Sequence, residues 1–110
     1  MKAVKFQPDL AQLVIDGKKT TTWRMFDDKN LQTGDEIELV NKATGEVFGH
    51  ATISWVTLKY IKDLDEVDWE GHERFPNEEA MYATYRGYYA EQEVGPETIV
   101  KIIHFNLIKK

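Results

Sequence analysis

The sequence predicts an α+β fold, a small mixed β-barrel or curled sheet with flanking helices. Three features point there: few strand-patterned segments, a helical insert in the middle of the chain, and a length of 110 residues, which suits one compact domain spanning 1–110. No repeat, low-complexity tract or Pro/Gly/Ser-rich linker divides it.

The elements follow in order. Met1 to Phe6 lacks the apolar run of a signal peptide, and no stretch approaches the ~20 apolar residues of a membrane span, so a cytoplasmic location without membrane partners is expected. Pro8 and Asp9 suit a helix start. Leu10, Leu13 and Val14 then form one apolar face, and Gly17 supplies the C-terminal cap. Lys19 to Trp23, with Thr20, Thr21 and Thr22, reads as a strand. Phe26 to Asp35, holding Asp27, Asp28, Asn30 and Gly34, is a polar connection. In Glu36 to Val40, Ile37 and Leu39 alternate with acids, as in a half-buried strand.

A turn over 42–46 leads into Val47 to Tyr60, rich in β-branched and aromatic residues, where Ile53 and Trp55 are expected to share a face. A short helix is expected near Asp65 to His72. A clearer one starts at Asn77, a good cap, with Glu78 and Glu79 at its positive end and Met81, Tyr85 and Tyr88 at helical spacing. Gly95 and Pro96 end that segment. Thr98 to Ile108 closes the chain as a strand with Ile99, Ile103, Phe105 and Leu107 on one face. Trp55 and Tyr85 are expected in the core.

With 42% hydrophobic residues and 13 aromatics, the chain can bury roughly two-thirds of its unfolded surface and needs no staples. It has no cysteine, which removes disulfides, thiolate zinc, iron–sulfur clusters and cysteine nucleophiles. His50, His72 and His104 are scattered without metal-ligand spacing and read as surface or strand residues, so neither metal nor cofactor is expected. The net charge of −5 opposes tracking along DNA. That charge is uneven: residues 63–97 hold eleven acidic and two basic residues, whereas residues 1–62 hold eight and nine.

The basic half contains the most unusual run, Gly17, Lys18, Lys19, Thr20, Thr21, Thr22, Trp23 and Arg24. It is not an NTPase phosphate loop, because Gln12 stands where the motif places its first glycine and the run enters a strand instead of a helix. A regular strand would put Lys18, Thr20, Thr22 and Arg24 on one face, either a donor row for a phosphate or carbonyl or simply a solvated face.

The run Leu13 to Arg24, continued by Leu31, Gln32, Thr33, Gly34, Asp35, Glu36 and Ile37 and by Thr44 to Gly49, resembles the signature of the ASCH family. In that family a helix ends in Gly-basic-Lys-Thr-x-Thr-x-Arg, and a Gly-Asp pair introduces the next strand. The resemblance implies a PUA-like β-barrel, a group associated with RNA binding, with a cleft between barrel and helices. Some small bacterial ASCH proteins are amidohydrolases that deacetylate N4-acetylcytidine with a Lys, a Thr and a Glu. Carried over, the catalytic residues are Lys19, Thr22 and Glu73, with Glu70 as the alternative carboxylate. Lys18, Thr20, Trp23, Arg24 and Trp69 are the accompanying substrate-binding candidates. Trp23 departs from the small aliphatic residue expected at its position.

The chemistry is coherent on its own terms. A threonine hydroxyl becomes a nucleophile when a neighbouring base takes its proton, and a lysine serves as that base when burial or another cation lowers its pKa. Lys19 and Thr22 fall on opposite faces of a regular strand, so an irregularity is expected at residues 18–21. The expected partners are a modified nucleoside or RNA; the alternative function is a non-catalytic RNA-binding module.

Overall fold

The computed structural model describes residues 1–26 and 29–108; Asp27 and Asp28, within the expected polar connection, lie outside the described residues, as do Lys109 and Lys110. Among the described residues five strands and three helices follow one another as β1 (Lys2–Phe6), α1 (Pro8–Ile15), β2 (Thr21–Met25), β3 (Glu36–Asn41), β4 (Val47–Tyr60), α2 (Glu66–Trp69), α3 (Glu78–Tyr88) and β5 (Ile99–Leu107), with a 3-10 turn at Ile61–Asp63. The strands form one mixed sheet in the order β1-β3-β4-β5-β2, curled into an α+β half-barrel. β1 pairs with β3 in parallel, and every other pair is antiparallel. The sheet therefore ends in β1 and β2, and a cavity lies between these two unclosed edges.

α1 begins with Pro8 in its first turn, where the missing N–H costs nothing. It ends in a Schellman motif: Gly17 at φ 77°, with the Gly17 amide donating to Val14 and the Lys18 amide to Leu13. α3 is capped as expected, Asn77 Oδ1 accepting from the Ala80 amide at 2.8 Å. α2 is shorter than expected, ending at Trp69 instead of His72, and is held by a reciprocal Asp65/Asp68 capping box.

Two apolar clusters lie on opposite faces of the sheet. One holds Val4, Phe6, Val14, Leu31, Ile37, Leu39, Ile53, Ile103 and Phe105; the other holds Trp23, Met25, Met81, Tyr85, Val100 and Ile102. β5 serves both because its neighbouring residues alternate faces. Ile103, Phe105 and Leu107 share the face that meets the first cluster, as expected; Ile99, expected with them, is instead exposed, and Val100 and Ile102 meet the second cluster.

Trp55 is a second correction. It is 57% exposed and stacks on His104, while Ile53 is buried. The β4–β5 register shifts between Ile53 and Trp55, and that bulge breaks the alternation that would have put both inside. Among the described residues no helix is long and apolar enough to cross a membrane.

Candidate functional site

Lys19 reaches the cavity because of how α1 ends. The Leu13 carbonyl accepts from the amides of both Lys18 and Lys19, so the chain leaves the helix in a tight turn. Residues 18–20 are not strand, and β2 begins only at Thr21. The irregularity expected at 18–21 is present: Lys19 precedes the pleat, whereas Thr22 lies within it. Both line one cavity of about 320 Å³, walled by residues of β1 and β2 and closed by α3 and the loop before it. A volume of this size accommodates a small-molecule ligand.

Glu73 lies on that loop, between α2 and α3. Its carboxylate Oε1 accepts a hydrogen bond from Lys19 Nζ, forming an ion pair in which the Lys19 side chain is 2% exposed and Glu73 16%. Burial pushes the lysine pKa down, Glu73 opposes the shift, and Arg24 adds to it. Lys19 is thus displaced from an ordinary solvated lysine toward a group able to exchange a proton. The Thr22 side chain is 4% exposed and lines the same cavity.

Arg24 borders the cavity and spans the sheet's opening, its Nη2 donating to the Lys5 carbonyl of β1 at 2.9 Å while its guanidinium lies over Phe6. Lys29 crosses the same way to the Ala3 carbonyl. With Lys5 and Lys42 these give the cavity wall five cations, counting Lys19, against one carboxylate among the described residues.

Four of the remaining sequence candidates fall elsewhere. Lys18 is exposed and Thr20 packs its hydroxyl against Gly71; neither lines the cavity. Trp69 packs edge-on against Trp23 as part of the second apolar cluster, outside the cavity lining. Glu70 is exposed and apart from Lys19, whereas Glu73 meets it. Trp23 lines the cavity, but its ring is buried and stacked on His72 at 3.9 Å.

His72 is the residue that sequence reasoning missed. It is buried, not surface or strand, and borders the cavity beside Glu73. Its only sequence signal was adjacency to Glu73 within a Gly-His-Glu step. Desolvation, with Lys19 and Arg24 nearby, lowers its pKa to about 2, so it is neutral. Among the described residues no group of three His, Asp or Glu side chains could hold a metal ion.

Fold and site together define a small α+β half-barrel with a cavity at its open seam. No protein-family model matches the chain, and no curated protein does. Solved structures do. The chain is similar to a protein from Enterococcus faecalis V583 described under the family model DUF984, at TM-score 0.77 and 14% identity over 91% of this chain and 70% of that one. It is similar to the ASCH domain from Lactobacillus crispatus JV V101, at TM-score 0.72 and 15% identity over 96% and 78%. The ASCH protein from Zymomonas mobilis follows at TM-score 0.60 and 19% identity, over 94% and 65%. The chain has the fold of the ASCH domain.

Proposed function

We propose that the cavity binds a modified nucleoside and hydrolyses its N4-acyl amide, converting N4-acetylcytidine and water to cytidine and acetate. The observation that carries this reading is the buried Lys19–Glu73 pair lining the same cavity as Thr22. Lys19, in the neutral form that burial favours, takes the Thr22 proton as the hydroxyl oxygen attacks the acetyl carbonyl. The Arg24 guanidinium is the group on the wall suited to the oxyanion. The proton passes from Lys19, oriented by Glu73, to the departing N4 amine. Water then cleaves the acetyl-threonine ester with the same groups, restoring the hydroxyl and releasing acetate.

Incubation of the protein with N4-acetylcytidine, followed by chromatography for cytidine and acetate, tests this directly. Thr22→Ala and Lys19→Ala should each abolish turnover; turnover surviving both overturns the reading.

The excess of cations on the cavity wall favours a second reading, in which the site binds RNA without catalysis. Its test is RNA titration at two salt concentrations, where phosphate contacts make affinity fall as salt rises. Binding that ignores salt removes it.

A further inference from the structure

Glu73 belongs to neither a helix nor a strand, yet its carboxylate must stay against a buried lysine. A glutamate on a loop has several rotamers open to it, and one ion-pair partner does not select among them. The second contact comes from the preceding residue. His72 Nδ1 lies 2.7 Å from the Glu73 carbonyl oxygen and 3.3 Å from carboxylate Oε1. Both are acceptors, so Nδ1 carries the imidazole proton; it donates to the Glu73 carbonyl and lies in polar contact with the carboxylate. Nε2 is then the acceptor, and the buried Tyr85 hydroxyl donates to it at 3.4 Å.

The ring plane is fixed from the side. Trp23 stacks on the imidazole with centroids 3.9 Å apart and planes 20° apart, and Trp69 stands edge-on to both rings. Trp23 accepts a cost for this position: its buried indole N–H has no hydrogen-bond partner among the described residues. Stacking, not a polar contact, sets where it lies.

We propose that His72 is a positioning residue, holding the Glu73 carboxylate against Lys19 while Trp23 fixes the imidazole plane. The role in turnover rests on the catalytic reading above. It gives the bulky Trp23 a purpose that no contact with ligand supplies. It also links the strand carrying Thr22 to the loop carrying Glu73 through one stack and one hydrogen bond. The charged and titratable groups facing His72 are Lys19, Arg24, Glu73 and Tyr85. A protonated imidazole would add a third cation beside Lys19 and Arg24; the neutral ring avoids this and still donates.

The test uses three substitutions in the full chain. An asparagine amide can place N–H near Nδ1, whereas glutamine reaches toward Nε2 and phenylalanine offers no polar atom. His72→Gln and His72→Phe should lower kcat on N4-acetylcytidine by roughly tenfold to a hundredfold with KM little changed, the effect of a misplacement of about 1 Å. His72→Asn should retain most of kcat. In parallel, the Lys19 titration midpoint, read by NMR of labelled lysine, should fall in the Gln and Phe variants, because the carboxylate that raises it is loosened, and stay in place in Asn. Asn and Gln variants that behave alike, or a Phe variant with wild-type kcat and midpoint, would overturn the proposal. If the wild-type protein shows no turnover, the catalytic reading fails, while the Lys19 midpoints still decide the role of His72.

Discussion

Gly71 lies so close to Thr20 that a β-carbon on it would sit 2.1 Å from the Thr20 hydroxyl oxygen. The Gly71 carbonyl also accepts from the amides of Thr20, at 2.8 Å, and Thr21, at 3.2 Å. This contact clamps the loop carrying His72 and Glu73 to the start of β2. Gly71 has φ 74°, a conformation that costs a residue with a β-carbon about 1–2 kcal/mol before any clash. Gly71→Ala should therefore lower unfolding free energy by about 2 kcal/mol or more in urea titrations. Thr20→Ala added to it should recover part of that loss, since it removes the closest atom. Strict additivity of the two changes would show that the clash does not matter.

Charge neighbours of Lys19 should move its titration in opposite directions. Glu73 raises the lysine pKa and Arg24 lowers it. Glu73→Gln should shift the NMR midpoint of Lys19 down, and Arg24→Gln should shift it up. If Lys19 is the base, the rising limb of kcat/KM with pH moves the same way in each variant. Shifts of the same sign would contradict the electrostatics of the site.

Acid stability should carry the mark of His72. In the folded chain its pKa is lowered to about 2, whereas an unfolded chain takes up that proton near 6.5. The unfolded state therefore binds more protons between those values, and stability is lost as pH falls below 6.5. A single such group contributes about 1.4 kcal/mol per pH unit once well below that point. Urea melts from pH 7 to pH 4 should show a shallower decline in His72→Asn than in the wild-type protein. Parallel declines would mean that the imidazole is protonated without unfolding.

Thr22→Val separates chemistry from packing. Thr22 is 4% exposed, and an isopropyl group of the same shape keeps its packing while removing the hydroxyl. The melting temperature should stay within a few degrees or rise slightly, while turnover of N4-acetylcytidine disappears. A large loss of stability would show that the hydroxyl serves the fold.

Much of this architecture is written in local patterns. The Gly17 cap, the Asn77 cap and the alternation of Ile37 and Leu39 depend on neighbours a few residues away, and each appears in the structure. β1 was not legible. Its five residues pair in parallel with β3, more than thirty positions later, and Val4 and Phe6 are too few to show a period. Trp55 was misplaced because one extra residue in β4 reverses the alternation, and sequence does not mark the bulge.

The site divides in the same way. Lys19 and Thr22 belong to one run whose motif names them, and the required bend follows from the helix cap. Glu73 meets Lys19 across 54 residues, a contact that no local pattern encodes. His72 escaped because a lone histidine in an acidic segment shows nothing of the three rings packed around it.

The unclosed seam between β1 and β2 bears on more than ligand entry. A sheet edge presents unpaired backbone groups that recruit strands from other chains, and this sheet has two such edges. Both turn toward the same cavity, where Arg24 and Lys29 cap carbonyls of β1. These two cations thus occupy acceptors that β1 would otherwise offer to a strand of another chain. Removing them would free those carbonyls, so side chains that border the cavity also guard the edge of β1 against aggregation.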